Sequence, residues 1–207
     1  MKMSKRKVVY KRKTKETGIN ISIDLDGEGK SECKTGIGIL DHMLTLLVKH
    51  SLFNLKVKAK GDLEVDIHHT NEDVGIALGE ALNEALKDKR GICRFGWAYV
   101  PMEEALSRVV LDISGRPLLR LTLLDGTKAG EPDVPSGPKG GWTFKDAEHF
   151  LISFTRHSGI TLHIGINRDR DLHHLLEAIF KALGLALRQA VKLDKDIKGI
   201  PSTKGKL

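Results

Sequence analysis

The chain has 207 residues, of which 40% are hydrophobic and 29% charged, a composition that fits a soluble globular protein able to bury a sizeable core. Aromatic residues make up 5% and the formal net charge is +7. So few aromatics argue against a base-stacking nucleic-acid platform, and most of the lysines at the two basic ends read as a solvated, thermally robust surface. The basic N-terminus leads into no apolar secretory core, and no uninterrupted apolar run approaches a membrane span. A cytoplasmic protein with neither membrane nor nucleic-acid partner is expected.

Val8-Val9-Tyr10 forms a short strand-like stretch among basic residues, and residues 19–25 alternate as a half-buried strand does. Asp26-Gly27 predicts a turn. Leu40, Met43, Leu44, Leu47 and Val48 stand at helical spacing over about 39–50. Residues 55–60 alternate again, and a helix over about 71–86 places Val74, Leu78, Leu82 and Leu86 on one stripe. The order then repeats. Strand-like runs cover 107–113 and 118–124, helical spacing covers 144–157, a short strand covers 161–164, and a long amphipathic helix covers 174–191. Residues 125–141 are rich in Gly and Pro and predict an extended loop. Each half thus reads as strand, strand, helix, strand, helix. The expected fold is α+β, a tandem duplication of a sheet-plus-two-helix half-domain. The halves are 1–90 and 91–207, together one catalytic unit. Cys33 and Cys93 belong to no C-x-x-C pair, so free buried thiols in a reducing compartment are expected.

The chemistry lies in the histidines. His-His-x-x-Glu occurs twice, at His68-His69 with Glu72 and at His173-His174 with Glu177. Each copy has an upstream histidine that follows an acidic residue, Asp41-His42 and Glu148-His149, so six of the nine histidines fall into one duplicated pattern. On a helix the first His and the Glu are i and i+4 and share a face. The second His is rotated by roughly 100° and points elsewhere. Exchange between the motifs resolves this. One ion takes His68 and Glu72 with His174, a second takes His173 and Glu177 with His69, and His42 and His149 each complete one site. Three imidazoles and one carboxylate with open positions suit Mn²⁺, Fe²⁺ or Co²⁺, and would also bind Zn²⁺. Asp41, Asp66, Asp73 and Glu148 are candidates to support these ligands from behind. His50, His157 and His163 have no carboxylate at ligand spacing and read as core or shell residues. Histidines that merely hydrogen-bond in a core would explain one such pair, but poorly explain two matched ones.

With these residues placed, the chain resembles imidazoleglycerol-phosphate dehydratase of histidine biosynthesis over nearly its whole length. The motifs are Thr35-Gly-Ile-Gly-Ile-Leu-Asp-His-Met-Leu44, Gly61-Asp62-Leu63, His68-His-Thr-Asn-Glu-Asp73, Arg94-Phe-Gly96, Asp112-Ile-Ser-Gly-Arg-Pro117, His173-His-Leu-Leu-Glu-Ala178 with Phe180-Lys181, and Pro201-Ser-Thr-Lys-Gly205. The resemblance implies a hydro-lyase with two Mn²⁺ per active site. His42, His69, His173 and Glu177 would hold one ion; His68, Glu72, His149 and His174 the other. It implies ribosomal-protein-like halves and a homo-oligomer of 24 subunits with active sites between subunits. The substrate would be a small phosphorylated imidazole. Two Lewis acids on its ring nitrogens would stabilise an imidazolate and drive loss of the hydroxyl. Glu16 matches the acid/base position and Glu177 joins it as a ligand acting in catalysis. Arg94, Arg116, Lys181, Ser202, Thr203 and Lys204 match the substrate positions around the phosphate.

The chain departs from the family pattern at Ile67, Glu103, Asp169 and Asp171, and in the loop carrying Lys128, Glu131, Asp133 and Lys139. These changes bear on substrate fit more than on the ligands. A dimetal phosphatase would use similar parts and release free phosphate. A metal- or RNA-binding protein would show no turnover, and the RNA version would bind with strong salt dependence.

Overall fold

The computed structural model describes residues 6–126, 141–167 and 171–207. The first half runs β1 (Lys7–Lys13), β2 (Gly18–Asp24), β3 (Ser31–Lys34), α1 (Gly38–Ser51), β4 (Asn54–Lys60) and α2 (His68–Leu86). The second repeats it with β5 (Phe95–Met102), β6 (Ala105–Asp112), β7 (Leu118–Leu123), α3 (Phe144–Ser158), β8 (Thr161–Ile166) and α4 (Leu172–Val191). Each half forms a four-stranded sheet, ordered β1-β2-β4-β3 and β5-β6-β8-β7. In both, the three neighbours β1-β2-β4 or β5-β6-β8 pair antiparallel and the last strand joins in parallel. The duplicated α+β fold expected from the sequence is therefore present.

Two strands escaped the sequence reading, so three strands rather than two precede the first helix of each half. β3 is four residues of Ser-Glu-Cys-Lys, too short and polar to show a period. β5 inverts the usual pattern. Its outer face carries Phe95, Trp97 and Tyr99, all at least half exposed, while the inner face carries Gly96 and Ala98. The reason is close packing: a Cβ on Gly96 would sit 1.9 Å from the Ala186 carbonyl oxygen of α4. The other inner strands alternate as expected, with Ile19, Ile21 and Ile23 of β2 opposite Ala59, Val57 and Leu55 of β4.

Helices α1 and α2 cover the first sheet, and α3 and α4 the second; α2 then lies on α3, and α1 on α4. Equivalent glycines set both crossings. A Cβ on Gly79 of α2 would come 2.6 Å from the Phe154 carbonyl oxygen, and one on Gly184 of α4 would come 2.6 Å from that of Leu47. The result is one continuous core in which Phe150, Phe154, Phe180 and Trp142 are fully buried. The Trp142 indole N–H is satisfied by the Asn71 side-chain oxygen at 3.0 Å.

Both helices bearing the His-His pairs begin earlier than the periodicity suggested, at His68 and Leu172. Each pair thus lies in a first turn, where the amide N–H groups lack intrahelical partners. Asp66 accepts from the His68 amide at 3.1 Å. Asp171 caps α4, accepting from the amides of His173 at 2.7 Å and His174 at 3.4 Å. Most of the Gly/Pro-rich loop, with Lys128, Glu131, Asp133 and Lys139, and the departure at Asp169 lie outside the described residues.

Candidate metal centre

The crossing of α1 on α4 brings three expected ligands together. The Glu177 Oε1 atom lies 2.8 Å from His42 Nε2 and 3.0 Å from His173 Nε2, and the two imidazoles stack with centroids 5.3 Å apart. The ligand atoms of His42, His173 and Glu177 all lie within 4.8 Å of one another. Lys181, one turn along α4, donates to Glu177 Oε2 at 2.6 Å. Burial alone would push the Glu177 carboxyl up; the bonds from Lys181 and His42 outweigh it and hold the pKa at about 2.

The crossing of α2 on α3 brings the corresponding residues near one another in a looser arrangement. His68 Nε2 stands 3.6 Å from Glu72 Oε2, and the His68 and His149 rings meet edge-on at 5.1 Å. The Nδ1 atom of His149 is buried with no hydrogen-bond partner, an arrangement that a cation or an ordered water would relieve. The spacing of the sequence left open which upstream histidine serves which motif. Within the chain, His42 joins the His173 motif and His149 the His68 motif.

The other two expected ligands stand apart from these clusters. His69 Nδ1 lies 3.0 Å from Asp62 Oδ2 and 3.7 Å from Glu16 Oε2. His174 Nδ1 lies 3.1 Å from Glu104 Oε1 and 4.0 Å from Glu103 Oε2. The exchange of second histidines between motifs therefore does not occur within one chain. Electrostatics follow the contacts. The bond to Asp62 raises the His69 pKa and the bond to His69 lowers that of Asp62. His174 is likewise raised by Glu104, which its own backbone amide and then His174 hold low.

The carboxylates behind these rings are not the ones expected. Asp41 accepts from the amide and hydroxyl of Thr35, Asp66 holds the His68 amide, and Asp73 accepts from Arg12 and Thr17. Asp62 and Glu104 were missed because they come from a loop and a hairpin turn, at no fixed spacing from the histidines they meet. His157, with no carboxylate at ligand spacing in the sequence, meets Glu80 of α2 in space, 2.7 Å from its Nδ1.

Most of the phosphate candidates form a second locus. Arg94, at φ 72°, makes a two-pronged pair with Asp112 at 2.7 and 3.0 Å and donates to the Pro201 carbonyl at 2.8 Å. It thereby fastens the segment that carries Ser202, Thr203 and Lys204. The turn holding Arg116 lies against the same segment, since a Cβ on Gly115 would come 2.6 Å from Leu207. Lys181 is not in this corner. The Arg94 amide bonds to Ala190 of α4, roughly 14 Å along the helix axis from Lys181 at 1.5 Å per residue. Within one chain the phosphate candidates are thus split between two places, and Glu16 stands in a third, beside His69.

The donors of His42, His173 and Glu177 lie close enough together to share one divalent transition ion; the corresponding residues of the other half, His68, Glu72 and His149, are set more loosely. Among the described residues no helix is long and apolar enough to cross a membrane. Similarity to known proteins identifies the family. The profile of the family described as imidazoleglycerol-phosphate dehydratase matches residues 35–187. The chain is 50% identical over 200 residues to imidazoleglycerol-phosphate dehydratase of Thermoanaerobacter pseudethanolicus, covering 97% of this chain and 98% of that one. It is 52% identical over 200 residues to that of Caldanaerobacter subterraneus, with the same coverage. Among solved structures, the Staphylococcus aureus dehydratase superposes with a TM-score of 0.77 at 37% identity, covering 90% of this chain and all of that one. The Pyrococcus furiosus enzyme, solved with the ligand (S)-C348, gives 0.78 at 36% identity, covering 95% of this chain and 99% of that one. The chain belongs to the imidazoleglycerol-phosphate dehydratase family.

Proposed function

We propose that this chain is a cytoplasmic, metal-dependent hydro-lyase of histidine biosynthesis that converts imidazoleglycerol phosphate into imidazole acetol phosphate and water. The observation that carries the reading is the His42-His173-Glu177 cluster, repeated more loosely by His68, Glu72 and His149, with His69 and His174 outside both. His69 would complete the first and His174 the second, each from a neighbouring copy. Its two halves, 1–90 and 91–207, act as one catalytic unit. Two facts support a homo-oligomer, which we take to contain 24 subunits. Both second histidines turn away from the clusters of their own chain. The outer face of the second sheet also exposes Phe95, Trp97, Tyr99, Val110 and Leu118 together, an apolar patch that asks for cover.

When bound, two Mn²⁺ ions would supply Lewis acidity to the ring nitrogens of the substrate, stabilising an imidazolate. The chain's own residues supply the rest. Glu16, beside His69, is the acid/base: it takes the carbon-bound proton and returns a proton to the departing hydroxyl, which leaves as water. Glu177 is held ionised by Lys181 and His42 and is ready to act as a ligand. Arg116 and the Ser202-Thr203-Lys204 segment, fastened by Arg94, bind the phosphate, and Lys181 supplies a further cation from the metal side.

The test is turnover of imidazoleglycerol phosphate by chelator-stripped protein with and without added Mn²⁺, with the product identified by mass. Metal-dependent loss of one water with the phosphate retained is expected. Release of free phosphate, or no conversion with two ions bound per chain, overturns the reading.

A further inference from the structure

We propose that Asp62 and Glu104 are positioning residues that fix the tautomer and aim of the two histidines the chain does not use in its own clusters, His69 and His174. This rests on the metal reading above and adds to it the groups that make the fourth donor of each site available.

A neutral imidazole has one N–H and one lone pair, and only the nitrogen with the lone pair can bind a metal. Which nitrogen that is depends on the hydrogen bond made by the other. Asp62 takes the Nδ1 side of His69 at 3.0 Å, and Glu104 takes the Nδ1 side of His174 at 3.1 Å. Both contacts leave Nε2, the outer nitrogen, as the donor. His42, His173 and His68 also direct Nε2 toward their carboxylates, so the second histidines match the first in the atom they offer.

The backbone that carries each carboxylate is itself anchored. Asp62 lies in the loop between β4 and α2. Its carbonyl closes a turn with the Val65 amide at 2.8 Å, and its Oδ1 is buried, so the side chain has only Oδ2 to offer. Glu104 lies in the β5–β6 hairpin turn. Asn167, just past β8, donates to the Glu104 carbonyl at 2.7 Å and accepts from the Leu106 amide at 2.7 Å. That pins the hairpin beside the start of α4. The duplication places Glu16, in the β1–β2 turn, where Glu103 and Glu104 stand in the β5–β6 turn. At each second histidine, then, one carboxylate holds the ring while another, Glu16 at 3.7 Å or Glu103 at 4.0 Å, stands outside hydrogen-bond reach.

The experiment measures Mn²⁺ stoichiometry and affinity by titration calorimetry on the full-length protein and on the variants Asp62→Ala, Asp62→Asn, Glu104→Ala and Glu104→Gln. Loss of a carboxylate behind a ligating imidazole weakens metal binding by roughly 10–100-fold. Asp62→Ala is expected to weaken one of the two ions per chain by that factor and leave the other unchanged, and Glu104→Ala to do the same to the other ion. Asn and Gln still present a carbonyl to the Nδ1–H and restore most of the affinity, which a merely structural role would not require. Alanine variants that bind both ions like the wild type overturn the proposal, as do amide variants as weak as the alanine ones. Wild-type protein that binds no Mn²⁺ removes the metal reading itself and this proposal with it.

Discussion

Replacing Glu177 by Gln tests the centre where most is known of its contacts. The carboxylate side chain is 10% exposed and its two oxygens meet three donors: His42 and His173 on one, Lys181 on the other. A Gln amide has one acceptor and one donor end. If its oxygen faces the imidazoles, its NH₂ meets the Lys181 ammonium; if it faces Lys181, its NH₂ meets two ring nitrogens. Either way a charge-assisted bond is lost, and a half-buried lysine loses its counter-charge. The pKa gives the magnitude. Held from its ordinary 4.5 down to about 2, the group contributes about 3 kcal/mol to the metal-free fold. The sign follows from the direction: a depressed carboxylate contributes fully above pH 4.5, and its contribution fades as pH falls toward 2. In chelator at pH 7, Glu177→Gln should therefore melt about 6–12 °C below the wild type, and the gap should narrow steadily as the pH of the melts is lowered from 5 toward 2.5. The same variant should lose high-affinity Mn²⁺ and dehydratase turnover. A gap that stays constant with pH would refute the ionic account of Glu177, and full metal content with full activity would remove it as a ligand.

Lys204→Ala should raise the Michaelis constant about tenfold, the equivalent of one charge-assisted bond, with Mn²⁺ affinity unchanged; an unaltered Michaelis constant takes the segment out of the phosphate site. Gly79→Ala puts a Cβ within 3 Å of two backbone atoms, the Phe154 oxygen and the Ser158 nitrogen, which cannot move aside without separating α2 from α3. Overpacking outweighs the helix propensity gained, leaving a net loss of about 2 kcal/mol, and a melting temperature equal to or above that of the wild type would show that the helices have room. Trp97→Lys, on the exposed face of β5, should yield smaller species by light scattering if that face is covered in the assembly, whereas an unchanged mass would exclude it as a contact.

Legibility in the sequence followed the strength of local periodicity. The four helices and the inner strands β2, β4, β6 and β8 could be read because their apolar residues recur at 3.6 or 2 positions. β5 could not, because close approach of α4 forces Gly96 and Ala98 inward and leaves the aromatics outside. β3 carries too few residues for any period. The candidate ligands were legible for a different reason: His-x-x-x-Glu on a helix places two donors on one face regardless of tertiary context. Which upstream histidine joins which motif depends on how the helices cross. Those crossings are fixed by Gly79 and Gly184, whose role is visible only once the opposing backbone is in place. Asp62 and Glu104 were illegible for the same reason, as their distance from the histidines is set by a loop and a hairpin rather than by a helical turn.

The adjacency within each His-His pair explains why a chain with both motifs still lacks two complete sites. Neighbouring residues in a helix point roughly 100° apart, so a helix that commits its first histidine and its glutamate to the helix beside it must turn its second histidine away. The choice is the same in both halves. His68 and Glu72 face His149 on α3, His173 and Glu177 face His42 on α1, and the carboxylates of Asp62 and Glu104 meet the two histidines left over. Moving those histidines inward would require unwinding the first turn of α2 or α4, with loss of the Asp66 and Asp171 contacts that hold it. Sharing the second histidine with another copy requires no such change. On the proposed reading, completion of the metal sites and association of chains would be one requirement rather than two.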